Sequence, residues 1–188
     1  MSGTDAVRPT VVLFEGESDR RAFGTLARRV ERSLDAVSLV DLDGITNLRT
    51  VLGGLLRDRG RVFGLYDAAE GAYVARVLHD LGVIEDVEED VEDAGFFGCR
   101  RDLEEEVIRA GGIDLVIESL DTRGDLARFR VFQGQPAQRE RTVEAQLHRF
   151  AGTASGRKTR FAADVIEMLP IERMPQPLVA LLDACLAA

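Results

Sequence analysis

The first half of the chain alternates short, β-branched apolar runs with longer segments whose apolar residues recur every three or four positions, and few folds accommodate that alternation. A continuous apolar run of four to six residues is the pattern of a strand covered on both faces, and the helical patterns between are long enough to cross back over a parallel sheet. Val11 to Phe14 reads as the first strand, and Glu17 to Arg32 as a helix with Phe23, Leu26, Ala27 and Val30 on one face and Ser18 or Asp19 as its cap. Val37 to Leu42 is the second strand; Gly44 then permits a turn into a helix carrying Ile45, Leu48, Val51, Leu52 and Leu55. Val62 to Tyr66 is the third strand, ending at Asp67, with a helix from about Glu70 to Leu81 behind it. The predicted fold class is α/β, a Rossmann-type parallel sheet flanked by helices.

Beyond the third strand the pattern loosens. The acidic segment Glu85 to Asp93 reads as an exposed connection, because like charges at that density resist burial. Phe96 to Cys99 is a short fourth strand, and Asp102 to Ala110 a helix that ends at the Gly111-Gly112 pair. Helices follow over Gln138 to Phe150, Lys158 to Leu169, and Leu178 to Leu186 past the breakers Pro175 and Pro177. This divides the chain into an α/β core over residues 8–112 and a mainly helical part over residues 113–188, packed on the core. No stretch approaches the roughly 20 apolar residues of a membrane helix, and Met1 to Pro9 has no basic region leading into an apolar run. The expectation is a cytoplasmic protein without a membrane partner. Cys99 and Cys185 lack metal-ligand spacing and read as two buried thiols in a reducing compartment.

The formal net charge of −9 argues against a nucleic-acid partner until its distribution is considered. Residues 85–106 hold eleven acids against Arg100 and Arg101, which accounts for the whole excess. From Thr122 to Arg160 the balance reverses to +6, with Arg139, Arg141, Arg157 and Arg160 among nine basic residues. These four are candidate contacts to a phosphate backbone; a solvated helix face is the alternative. Phe129, Phe132 and Phe150 are interleaved with the arginines and fit core packing better than base stacking.

Ligands of open parallel sheets bind beyond the carboxyl ends of the strands, and three acids fall there. Glu15 directly follows the first strand, Asp67 directly follows the third, and Asp19 lies one turn into the first helix on the face that Glu15 reaches. Three carboxylates on one sheet edge repel unless a cation neutralises them, and hard oxygen ligands select Mg²⁺ or Mn²⁺.

The stretch Val11-Val12-Leu13-Phe14-Glu15-Gly16-Glu17-Ser18-Asp19, followed some fifty residues later by Gly64-Leu65-Tyr66-Asp67-Ala68-Ala69-Glu70, resembles the Toprim fold. That fold is shared by topoisomerases, primases and the overcoming-lysogenization-defect (OLD) nucleases, and the OLD branch matches best. It adds a later acidic helix start, resembled by Asp102-Leu103-Glu104, and a downstream lysine, which here is Lys158 within Ser155 to Ala162. The likeness spans roughly residues 10 to 162. It implies a metal-dependent endonuclease or nicking enzyme acting on nucleic acid, most simply DNA. Glu15, Asp19 and Asp67 would be metal ligands, Glu70, Asp102 and Glu104 would complete a second site, and Lys158 would stabilise charge on the phosphate. Lys158 is the only lysine among 24 basic residues, and a compact ammonium sits beside a phosphate differently from a guanidinium. The chain departs from the family where Asp-x-Asp is expected: it has Asp67-Ala68-Ala69, so Glu70 must supply the second carboxylate or the second metal is poorly held. The alternative is a catalytically impaired Toprim-fold regulator that binds nucleotide or phosphate, or an ATPase supplied in trans.

Other motifs carry less. Gly152 to Thr159 is a near miss to a phosphate-binding loop, with Arg157 at the second glycine and helix where a strand should precede it. The chain thus lacks the ATPase module usual in OLD nucleases. Asp41-Leu42-Asp43-Gly44 resembles the opening of haloacid-dehalogenase-like phosphatases, but Ile45 displaces the threonine and no later aspartate pair follows. His79 and His148 lie on helical patterns and read as surface histidines.

Overall fold

Alternation within the strands decides the layering. The computed structural model describes residues 9–87 and 91–187, so residues 88–90 of the expected acidic connection lie outside the described residues. β1 (Thr10–Phe14) pairs with β2 (Val37–Asp41) on one side and β3 (Arg61–Tyr66) on the other; β4 (Phe96–Gly98) extends the sheet beyond β3, and every pairing is parallel. Successive side chains of β1 serve two separate cores. Val11 and Leu13 pack with Leu48 and Leu52 of α2 (Leu48–Arg57) and Val74, Val77 and Leu78 of α3 (Gly71–Asp80). Val12 and Phe14 face Ala22, Phe23, Leu26 and Ala27 of α1 (Glu17–Arg29) and the later helices. The result is an α/β sheet flanked by helices, as the alternation predicts.

The second core joins the helical half to the sheet. It takes in α4 (Leu103–Thr122), α5 (Leu126–Gln133), α6 (Val143–Ala151), α7 (Ser155–Met168) and α8 (Gln176–Leu186). Val12 and Phe14 share one apolar cluster with Phe129, Phe150, Phe161 and Leu181, so the halves expected at 8–112 and 113–188 are bound by a common core. α7 lies along α1: Arg29 donates to the carbonyls of Ile166 at 3.0 Å and Leu169 at 2.9 Å, and Arg28 pairs with Glu167. Phe129, Phe132 and Phe150 stack at centroid distances of 5.2 and 5.4 Å in the interior. Cys99 and Cys185 are free and buried.

Three local expectations need correction. α1 is capped by the extended backbone of Gly16, without a side-chain bond from Ser18 or Asp19. α4 does not stop at the glycine pair: Gly112 adopts φ 72° and ψ 169°, a conformation close to exclusive to glycine, and the helix resumes beyond this break as far as Thr122. α5 was not foreseen, because Arg128 and Arg130 flank Phe129 and the apolar Val131 faces solvent, which blurs the amphipathic period.

Candidate active site at the carboxyl edge of the sheet

The sheet order β2-β1-β3-β4 reverses direction at β1 and β3, which opens a crevice between their carboxyl ends. Glu15 and Asp67 follow those two strands directly. The chain around them is tied together by the backbone. Gly44 N–H donates to the Glu15 carbonyl at 3.1 Å, and Ala68 N–H to the Arg101 carbonyl at 3.0 Å, bringing the segment after β4 beside Asp67. Asp19 is partly buried on the first turns of α1. Arg20, its neighbour, donates through Nε to both oxygens of Asp41 at 2.9 and 2.8 Å, pinning α1 to the end of β2. Asp41, the nucleophile of the phosphatase reading, is therefore occupied by a guanidinium.

Electrostatics mark which acids converge. Burial pushes Asp19 up to about 7 from the ordinary 3.8, reinforced by Glu104, Asp67 and Glu15. Asp67 is likewise pushed up to about 7, by burial first and then by Asp102, Glu15, Glu104 and Glu70. Glu104 is raised by burial and by Asp102, against the pull of Lys158 and His148. The six acids singled out from the sequence are thus linked through Asp67, which feels Glu15, Glu70, Asp102 and Glu104, and through Asp19, which feels Glu15, Asp67 and Glu104; Lys158, exposed near the start of α7, lies within electrostatic reach of Glu104.

The donor set suits a hard dication: carboxylate oxygens only, partly buried, in mutual repulsion. Among the described residues, no three Asp, Glu, His or Cys side chains form a ready cage, so the carboxylates surround the crevice without closing on one point. Asp102 is more constrained than expected of a ligand. One of its oxygens accepts from Glu105 N–H at 2.8 Å to cap α4, and His148 Nε2 lies 2.9 and 2.7 Å from the two. His148, expected at the surface, has a side chain only 19% exposed. It lies 46 residues from Asp102, and no local pattern links the two.

The arginines divide. Arg139 and Arg141 are exposed, and among the described residues their side chains bond to the carbonyls of Gly134 and Ala137, at 2.9 and 3.1 Å, through Nε. Arg157 does not face solvent: it is 8% exposed, stacks 3.8 Å from the Phe150 ring, and donates to both oxygens of Asp125 at 3.3 Å and to Thr153 Oγ1 at 2.6 Å. The expected phosphate contact is thereby corrected to a buried structural role. Arg160 also pairs with Asp125 and, at 3.2 Å, with Asp164. Burial pushes Asp125 upward, yet hydrogen bonds from Arg157 and Arg128 outweigh it and hold the carboxyl below its usual range. This knot fixes the first turn of α7, with Lys158 between its two anchored arginines.

Solved structures with the same architecture decide the fold. The C-terminal region of the Burkholderia pseudomallei OLD protein superposes with a TM-score of 0.67 at 18% identity, covering 96% of this chain and 98% of that one. The C-terminal region of the Xanthomonas campestris pv. campestris OLD protein superposes with a TM-score of 0.62 at 22% identity, covering 96% of this chain and 95% of that one. The fold is that of the OLD C-terminal region. The Toprim-like sheet and its helical companion are shared with these OLD structures over nearly the whole chain, as the two sequence motifs lead one to expect. No protein-family model matches the chain, and no curated protein matches it in sequence. Among the described residues, no helix is long and apolar enough to cross a membrane.

Proposed function

We propose that this protein is a Mg²⁺- or Mn²⁺-dependent nuclease that hydrolyses phosphodiester bonds of nucleic acid. The observation that carries the reading is the convergence of Glu15, Asp19, Asp67, Asp102 and Glu104 at the switch point of an OLD-type sheet, with Lys158 opposite Glu104. Glu15, Asp19 and Asp67 would hold one cation, and Glu70 with Glu104 a second; the cation supplies Lewis-acid charge at the reacting phosphate. The chain itself orients and neutralises. Lys158 stabilises the negative charge that grows on the phosphate, the Asp125 knot keeps it facing the crevice, and the His148 bond to Asp102 sets the start of α4 from which Glu104 projects. Arg139 and Arg141 would steady the backbone of the bound strand. A cytoplasmic location, where nucleic acid and free Mg²⁺ coexist, fits this chemistry.

The test is nicking of supercoiled plasmid with Mg²⁺, Mn²⁺, Ca²⁺ or EDTA. Wild-type protein should nick with Mg²⁺ or Mn²⁺ only. Lys158→Ala should lose at least about a hundredfold in rate with its melting temperature unchanged, since the side chain is exposed. Glu15→Ala should abolish nicking. Absence of nicking by folded wild-type protein with every metal would sink the reading.

One observation favours a second reading, a non-catalytic module that binds nucleotide or phosphate, or docks on an ATPase supplied in trans. Ala69, exposed beside Asp67, stands where the resemblance calls for a second aspartate, and Glu70 is displaced by one residue along the Ala68–Glu70 turn. Restoration of activity by Ala69→Asp in an otherwise inert protein would select this reading.

A further inference from the structure

We propose that the cleft between α4 and α6 holds one unstacked nucleotide of a single-stranded nucleic acid, with its phosphate at Arg101 and an amino-bearing base against the apolar wall. The inference rests on the nuclease reading for the position of the scissile phosphate. The cleft has a volume of about 420 Å³. That is the size of a site for one small molecule, and it is too small for a base-paired strand. Ile108, Ile113 and Ala145 supply its apolar surface, and Gly112 at the break in α4 lines it without a side chain.

The polar groups around the cleft are ordered by sign. Arg101 lies at the end next to the crevice: its carbonyl is bonded to Ala68 N–H, one residue from Asp67, and its exposed guanidinium approaches Asp102 at 3.5 Å, its one ion pair among the described residues. Arg109 is already committed to Glu106 and Glu105, which leaves Arg101 as the cation on the wall best placed for an incoming phosphate. Glu144 lines the cleft from α6, one helical turn, about 5 to 6 Å along the axis, from His148. On the α4 wall Glu105 also lines the cleft with a part-exposed carboxylate, one oxygen of which lies 3.7 Å from Arg109 while the other is enclosed. A phosphate is therefore attracted at one end and repelled along the rest, whereas the exocyclic amine of adenine, cytosine or guanine finds carboxylate acceptors there. Thymine and uracil have no exocyclic amine to offer. A base that enters this cleft must leave its stack, which selects single strands, flaps or frayed ends over continuous duplex.

The experiment is fluorescence anisotropy of labelled twelve-nucleotide deoxyadenosine and thymidine strands in Ca²⁺, with a duplex of the same length as competitor. The deoxyadenosine strand should bind about fivefold tighter than the thymidine strand, and the duplex should compete poorly. Ala145→Trp, which fills the cleft, should weaken the deoxyadenosine strand about tenfold, and Ile113→Trp should do the same. Wild-type binding by both variants, each shown folded by its circular-dichroism melt, would overturn the proposal, as would equal competition by duplex. Cleavage of the labelled single strands in Mn²⁺ separates the two readings: a protein that cleaves them but binds them independently of the cleft overturns this inference alone, whereas cleft-dependent binding with neither strand cleavage nor plasmid nicking supports it and sinks the nuclease.

Discussion

Asp19 and Asp67 pay for their position at the crevice with ionisation. In the folded protein both are held near 7, whereas in the unfolded chain they titrate near 3.8. Between those values the folded state keeps protons that the unfolded state has released, so stability falls as pH rises from about 4 to 7 and levels off above. Metal-free protein melted in EDTA across that range should follow this slope. Asp19→Asn removes one of the two groups, so it should flatten the slope and raise the melting temperature at pH 8 by at least about 3 °C. A variant that tracks the wild type at every pH would show that the acids do not repel as described. The sequence revealed Asp67 because it directly follows a strand and Asp19 because it lies one turn into the helix after β1, both of which are local signals. It did not reveal His148 or the burial of Arg157, since both depend on partners tens of residues away: Asp102 in one case and Asp125 in the other.

The elements show the same boundary between local and distant causes. The first three strands fall within a residue of the spans read from their apolar runs, most plainly β1, whose buried run is covered on both faces. α4 differs in that Gly111-Gly112 reads as a stop, and only the packing of Val116 and Leu120 into the second core carries the helix past it. Gly112→Ala should place a Cβ on a backbone that side chains avoid, costing about 1–3 kcal/mol, which a denaturant melt would register. Gly111→Ala, with an ordinary helical backbone but Leu115 and Val116 side chains 3.2 Å from the new Cβ, tests crowding instead.

For the molecule as a whole, the buried Asp125 is the point where the helical half is locked. It is 3% exposed and holds Arg128, Arg157 and Arg160 at once. Its removal leaves Arg157 buried and unpaired, so Asp125→Ala should destabilise by about 3 kcal/mol or more, equivalent to roughly 10 °C in melting temperature. Asp125→Ala melting like wild type would mean that the knot is ornamental. The carboxylates of the crevice come from the first 104 residues, while Lys158 arrives on a helix that docks against α1 through bonds spanning 137 to 140 positions. During synthesis, a ribosome that has made the acids has not yet made their cation. The charges of the crevice are thus balanced only when α7 closes back on the first helix.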